Sequence, residues 1–334
     1  MRILVFEYIT GGGMLGRALT PSLVSEGDLM LRALASDLCE LDGIDVVITR
    51  DARLSPVKLP VACRFIDRAE QFPIAWDQTL DGVDAVWPIA PEQHGVLERV
   101  TEAVLDSGKT LLSSPPGAVR TAASKIGTLR RLAERGIAVV PTYGIDDALP
   151  LIPGRWVLKP DDGVGCIGIR LFQDRDALRR HWEQLPDGPA NVAQPYVPGT
   201  AASLSILAKE GEAALLSVNR QRIAVMDDVF VLLGCVVSGL HGGWRRYQRL
   251  ASHVAAALPE LRGYFGVDLI VGPGGLKVLE VNPRLTTSYV GLKESIGVNP
   301  AALVLDLVNG GSAWRGTTGA AKVVDVCLEY ANVA

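Results

Sequence analysis

The densest chemistry in this chain lies in one short stretch holding Asp268, Glu280, Asn282 and Arg284. Two carboxylates, an amide oxygen and a neighbouring guanidinium suit Mg2+ on a polyphosphate, because Mg2+ keeps a few protein oxygens and takes its remaining ligands from phosphate and water. The four residues belong to two apolar runs, Phe265–Val271 and Leu276–Arg284, around Gly272-Pro-Gly-Gly275, which read as antiparallel strands. A three-residue loop at Pro273–Gly275 sets Gly272 opposite Leu276 and Asp268 opposite Glu280. Period-two alternation then puts Asn282 on the acidic face and Val267, Leu269, Leu279 and Val281 on the other. An ordinary hairpin with acids on its wet face has the same pattern, so its neighbours must decide.

Two stretches match GxGxxG. Gly163-Val-Gly165-Cys-Ile-Gly168 lies between two short strands and closes a hairpin, where bare N–H groups can approach phosphates. Lys159 ends the preceding strand, with its ammonium placed to reach a phosphate or an adenine edge; Asp161 and Asp162 are expected to repel one. Gly11-Gly-Gly13-Met-Leu-Gly16 follows the first strand but makes a poor dinucleotide fingerprint, which needs a helix starting inside the motif. Here Pro21 and Gly27 interrupt, and the helix is expected from Ser25, where Ser25-x-x-Asp28 resembles a capping box. A mobile loop over a substrate, presenting Glu7 and Tyr8, is the better reading. No GxxxxGK[ST] is present, and neither are the kinase HRD and DFG signatures.

The elements that must position these groups alternate strand and helix over residues 1–115: strands at Ile3–Phe6, Val46–Ile48 and Ala85–Ile89, helices at Ser25–Leu41 and Glu92–Ser107. Pro115-Pro116-Gly117 marks a boundary. Beyond it come a helix around Lys125–Glu134, strands at Trp156–Lys159 and Ile169–Phe172, helices at Asp176–Gln184, Trp244–Leu258 and Pro300–Val308, and the hairpin. The length of 334 residues suits two or three units. A formal charge of -4 with no long basic run argues against nucleic acid as a partner. Five scattered cysteines without CxxC spacing fit a reducing cytosol, and the four histidines form no HxH or HExxH pattern. Acids arrive too early for a signal peptide, and the longest apolar run, Val229–Leu240, is too short for a bilayer. A cytoplasmic protein without membrane association is expected.

The order of features is specific: Ser124-Lys125, Trp156-Val-Leu-Lys159-Pro, the glycine hairpin, Gln194-Pro-Tyr196-Val197-x-Gly199-x-x-x-Ser203, Asp268, and Glu280-Val-Asn282-Pro-Arg284. Over essentially the whole chain this resembles the ATP-grasp superfamily of carboxylate–amine ligases. Within it, Phe6-Glu-Tyr-Ile-Thr-Gly-Gly-Gly13 and Pro88-Ile-Ala-Pro91-Glu92 are most similar to the ligases that join tyramine to L-glutamate in methanofuran-type cofactor biosynthesis. The resemblance implies an α/β protein: an N-terminal open α/β domain (1–115) before a two-lobed, α+β ATP-grasp fold with a central lobe (116–190) and a C-terminal lobe (191–334). It implies ATP, held by Lys125 and Lys159 at the α- and β-phosphates, by the hairpin of Gly163, Gly165 and Gly168 over the β- and γ-phosphates, and by a hinge of Gln194, Tyr196 and Val197 at adenine. Asp268, Glu280 and Asn282 would hold two Mg2+, for which Mn2+ can substitute, with Glu280 bridging. Arg284 and Lys159 would be catalytic, Arg284 stabilising the transferring phosphoryl group. Ala201 departs from the pattern, since many relatives carry a ribose-gripping glutamate there.

The implied partners are a small-molecule acid and amine, with a homo-oligomer compatible. For a glutamate substrate, Arg222 is the candidate for its α-carboxylate and Glu7 for its ammonium. Tyr8, Trp87 or Tyr289 could face an aromatic amine, with Ser288 beside Tyr289. Two other readings compete: an NAD(P)-linked oxidoreductase using Gly11–Gly16, and an inert nucleotide-binding protein. Neither needs Asp268, Glu280 and Asn282 to converge.

Overall fold

The computed structural model describes residues 1–185, 190–240, 242–311 and 322–328. The first part is a five-stranded parallel sheet, ordered β3-β2-β1-β4-β5, from β1 (Arg2–Glu7), β2 (Asp45–Asp51), β3 (Ala62–Ile66), β4 (Ala85–Ile89) and β5 (Thr110–Leu111). Helices α1 (Pro21–Cys39), α2 (Phe72–Asp81) and α3 (Val96–Asp106) connect them. Both faces of the sheet are covered, so its strands are continuously apolar instead of alternating. Leu4 and Phe6 pack with Val86 and Val104 on one side; Ile3, Val5 and Trp87 pack with Leu31, Leu34 and Leu38 of α1 on the other. Each fully buried leucine of that stripe contributes about 1.5–3 kcal/mol. The chain leaves β1 toward β2 and returns through β4, so a crevice opens beyond Glu7 and Ile89, where such sheets bind ligands.

Next come α4 (Pro116–Ala123), α5 (Lys125–Glu134), β6 (Trp156–Pro160), β7 (Arg170–Phe172), α6 (Arg175–Trp182), β8 (Asn191–Pro195), β9 (Thr200–Lys209), β10 (Glu212–Met226), β11 (Val229–Val237), α7 (Trp244–Ala257), β12 (Gly263–Gly272), β13 (Gly275–Asn282), α8 (Leu292–Ile296), α9 (Pro300–Val308) and β14 (Val324–Cys327). Their nine strands form one antiparallel sheet, β13-β12-β9-β10-β11-β7-β6-β8, with β14 also on β11. The expected division at 190/191 falls just before β8, which pairs with β6 and so lies with the central strands. The β7–β11 seam rests on the single pair Val229–Arg170. Val229–Leu240, the longest apolar run, is mostly strand β11. Among the described residues no helix is long and apolar enough to cross a membrane.

Two local expectations change. Helix α1 begins at Pro21, not Ser25, because proline fits the first helical position, where its missing N–H costs nothing. Asp28 therefore caps nothing and bonds Arg32 and Arg50. Gly27 lies inside the helix, and a Cβ there would stand 2.7 Å from the Glu7 carboxyl carbon. Helix α3 begins at Val96, not Glu92, leaving Glu92 and the 3-10 turn Gln93–Gly95 as a loop over the crevice.

Glu7 closes the glycine-rich loop after β1. Its carboxylate accepts from Ile9 N (3.1 Å), Thr10 N (2.6 Å) and Thr10 Oγ1 (2.6 Å). Burial pushes its pKa up to about 7 against these donors, with the Asp28 charge adding to the rise. The folded state therefore holds a proton that the unfolded chain releases above its ordinary value of 4.5. Stability should fall as pH rises from there through about 7, by on the order of 3 kcal/mol in all. Urea unfolding of Glu7→Gln across this range should show that slope flattened; an unchanged slope would remove Glu7 as its source.

Candidate functional site

The hairpin β12–β13 pairs Asp268 with Glu280 as expected, but by another route. Gly272 pairs with Gly275 and Val271 with Leu276, so the turn has two residues, Pro273 and Gly274, instead of three. A bulge at Leu279 restores the alignment, since Leu269 pairs with Val278 and Asp268 with Glu280. Leu279, expected among the core residues, turns to the cleft, and Val278 takes its core place with Val267, Leu269 and Val281.

Asp268, Glu280, Asn282 and Arg284 line a cleft of about 480 Å3 with Lys125, Lys159 and the glycine hairpin, within the range usual for ligand pockets, about 300–1,000 Å3. Both lysines are buried. The Glu280 carboxylate lies 3.5 Å from Lys159 Nζ and 3.7 Å from Lys125 Nζ. Burial works against the ionised Glu280, but Lys125 and Lys159 win and hold its carboxyl below the usual range. For Asp268, burial and the Glu280 charge push the pKa up to about 7, against a hydrogen bond from Gln221. Burial, helped by Lys125, pulls the Lys159 ammonium down. Two carboxylates face each other in this cleft, and the one without a lysine at contact distance, Asp268, is pushed toward protonation. Asn282 adds a neutral oxygen. No group of three His, Cys, Asp or Glu that could hold a metal occurs among the described residues, so a cation here would complete its shell with ligand oxygens, as Mg2+ does.

The two acids expected to repel a phosphate do other work. Asp161 Oδ1 accepts from Ile126 N (2.8 Å) and Oδ2 from Ser124 Oγ (2.8 Å), fixing the start of α5. Lys125 Nζ donates to Asp161 O (3.0 Å) and Gly163 O (2.7 Å). Asp162 Oδ2 accepts from His94 N (2.8 Å), tying the glycine hairpin to the Glu92 loop. Gly163 and Gly165 line the cleft; Gly168, at φ 76°, forms the hairpin's return and does not. Gln194, Tyr196 and Val197 line the far end, with Gln194 Nε2 donating to Thr142 Oγ1 at 2.8 Å. Thr200 and Ala201 lie beside them.

Arg284 stands at a junction. Its Nε donates to Glu92 Oε2 (3.0 Å) and its Nη1 to Leu285 O (3.0 Å). Burial opposes its charge, but Glu92, Glu26 and Glu280 keep the guanidinium ionised. The other Glu92 oxygen is buried without a partner. Arg284 and Glu26 line both the main cleft and a second cavity of about 200 Å3 in the crevice of the parallel sheet.

Several expected substrate contacts fail. Arg222 pairs with Asp325 and donates to Cys327 Sγ (3.3 Å), so it faces β14 and not the cleft; Gln221 and Ile223 take the cleft side. Glu7 lines the second cavity but its oxygens are engaged by Ile9 and Thr10, so it is not free to take an ammonium. Tyr289 is a core residue, edge-on to Tyr264 at 5.5 Å, and Trp87 is core as well. Tyr8 does line the second cavity. Ser288 reaches the main cleft from a buried polar layer in which Ser205, Tyr264 and Thr286 surround it. Sequence reasoning missed Glu26, Glu92, Arg220 and Gln221. Only Glu92 carried a signal, as the final residue of Pro88-Ile-Ala-Pro91-Glu92.

Comparison with known proteins agrees with this geometry. An ATP-grasp domain model matches residues 122–288, half of the chain, and a pre ATP-grasp 3 domain model matches 44–119. A tyramine–L-glutamate ligase of Methanocaldococcus jannaschii is 23% identical over 315 residues, 92% of this chain and 88% of that protein. A putative ATP-grasp superfamily protein from Archaeoglobus fulgidus superposes with a TM-score of 0.70 at 22% identity, over 98% of this chain and all of that one. The biotin carboxylase domain of Hydrogenobacter thermophilus 2-oxoglutarate carboxylase, solved with MgADP, ADP and bicarbonate, superposes with a TM-score of 0.70 at 15% identity, over 96% and 72%. The chain belongs to the ATP-grasp superfamily.

Proposed function

We propose that this protein is an ATP-dependent ligase that joins a carboxylate to an amine and releases ADP and phosphate. One observation carries the reading: Lys125, Lys159 and Arg284 surround the facing pair Asp268 and Glu280 in a single cleft beneath a glycine hairpin. A carboxylate does not condense with an amine in water because its oxygen is a poor leaving group. Phosphorylation by ATP turns it into an acyl phosphate, which the amine attacks. That chemistry needs positioning and charge neutralisation and no protein nucleophile.

Lys125 and Lys159 are the cations for the phosphates, Asp268, Glu280 and Asn282 the ligands for Mg2+, and Tyr196 with Val197 the walls for adenine. Held by these residues, Mg2+ would supply positive charge to the polyphosphate. Arg284, held by Glu92, neutralises charge that develops on the transferring group. Ribose is left to Thr200 and backbone groups, since Ala201 has no carboxylate to offer. The acid and amine are, in this reading, the γ-carboxyl of L-glutamate and tyramine or a close analogue. The similarity to the M. jannaschii ligase over 92% of the chain supports that choice. For the glutamate α-carboxylate, Arg220 is taken in place of Arg222, whose guanidinium pairs with Asp325: Arg220 lines the cleft and its side chain has no hydrogen bond or ion pair among the described residues.

The assay is ADP release with Mg-ATP across a matrix of acids and amines. Release dependent on both substrates is expected; NADH binding without ATP binding would overturn the reading. Asp268→Asn should lower turnover at least a hundredfold while the melting temperature of the ligand-free protein holds or rises, because the substitution relieves the repulsion from Glu280. Glu280→Gln should lose turnover and also melt lower, since it leaves two buried lysines without their carboxylate. Near-normal turnover in either variant would sink the metal assignment. Arg222→Ala should leave the KM of the acid within about twofold of wild type, and Arg220→Ala should raise it about tenfold or more, a difference of about 1.4 kcal/mol; the reverse order would restore Arg222.

A further inference from the structure

The chemistry of the main cleft makes no use of the cavity beside it. It lies at the switch point of the parallel sheet, and its volume of about 200 Å3 suits a small molecule. Its walls are largely apolar, including Met14, Leu23, Met30, Ile89 and Val96, with the ring of Tyr8. Charge is concentrated at the neck, where Glu26 and Arg284 line both cavities together with Val164 and Gly165 of the glycine hairpin. Helix α1 makes this arrangement: Leu23, Glu26 and Met30 lie at spacings of three and four, on one face.

Glu26 is placed for a ligand. Its Oε1 accepts from Thr287 Oγ1, which leaves Oε2 facing the hairpin tip, 3.6 Å from where a Cβ on Gly165 would stand. Glu26 has no ion pair within 4 Å among the described residues, although its charge acts on Arg284. Glu7, the other acid of the cavity, is already engaged by Thr10 and Ile9. Arg17 and His94 also line the cavity, and both are exposed to solvent.

Resting on the ligase reading, we propose that this cavity is the compartment of the amine, that Glu26 receives its ammonium, and that the amine is a primary amine on a compact apolar or aromatic body without a carboxylate of its own. An α-amino acid whose ammonium met Glu26 would hold its carboxylate beside that acid, where Arg284 has its Nε and Nη1 committed to Glu92 and Leu285 O and Arg17 is exposed to solvent, and a charge left without a partner is strongly disfavoured. The Glu26 carboxylate takes one proton from the ammonium. The freed lone pair attacks the acyl carbon, the C–N bond forms as the C–O bond to phosphate breaks, and phosphate leaves with the electron pair and the second amine proton.

The test uses the full chain with Mg-ATP, L-glutamate or a panel of other acids, and one of three nucleophiles. Tyramine and L-tyrosine differ by a carboxylate alone, and hydroxylamine traps an acyl phosphate as a hydroxamate while needing almost no space. Tyramine should be coupled with a kcat/KM at least a hundredfold above that of L-tyrosine. Val96→Trp, which fills the cavity, should reduce tyramine coupling at least a hundredfold and hydroxamate formation less than fivefold. Met14→Trp, on the loop, serves if the first variant melts early. Glu26→Gln should raise the KM for tyramine at least tenfold with a smaller change for hydroxylamine. Equal use of L-tyrosine, or equal loss of both products in a folded tryptophan variant, overturns the proposal and leaves the ligase standing. Absence of hydroxamate with every acid defeats the ligase reading, and the amine compartment with it.

Discussion

The contact between Glu280 and the buried ammonium groups of Lys125 and Lys159 joins three separate stretches of chain, and the arrangement of the cleft follows from it. Lys125 starts α5, Lys159 sits near the end of β6, and Glu280 lies on β13. The two buried ammonium groups and the half-buried carboxylate need one another, because removing one strands the others in a medium that solvates them poorly. Asp268 stands outside that balance. It faces Glu280 without a lysine of its own at contact distance, and burial together with the Glu280 charge pushes it toward protonation. Stability is given up locally for a site that is ready for positive charge, a common pattern where function sets the side chains.

The parallel sheet contributes more than a scaffold. Its loop after β4 reaches 192 residues along the chain to Arg284 through Glu92, and holds the glycine hairpin through His94 and Asp162. Arg284 and the glycine hairpin are thus anchored to one short turn. The buried polar layer of Ser203, Ser205, Asn219, Tyr264 and Ser288 does the corresponding work on the other side. It fixes the segment that brings Thr287 to Glu26.

Much of this could be read from residue order. The ladder of apolar runs gave strands close to their true limits, and the acid pair of the hairpin was placed correctly although the loop was read one residue too long. The bulge at Leu279 cancelled that error, and no periodic pattern announces a bulge. What strand alternation could not supply was distant partners. Arg222 looks like a ligand-binding arginine until β14 brings Asp325 beside it, and Tyr289 looks available until α1 and the sheet close over it. Asp161 and Asp162 looked like obstacles because their donors, Ser124, Ile126 and His94, lie 35 to 68 residues away. Glu26 lies inside the helix on either reading of its start, and nothing local to it tells that its face meets the crevice and Thr287.

The seam between β7 and β11 has a mechanical meaning. Ordinary neighbours in this sheet are joined along most of their length, whereas here one residue pair, with flanking bonds from Leu171 N to Asp228 O and from Phe230 N to Ile169 O, joins the two strands. Opening costs least where the fewest backbone bonds must break. That seam is therefore where this sheet parts most easily, with the β6–β7 turn and its glycine tip on one side and the strands that carry the acids on the other.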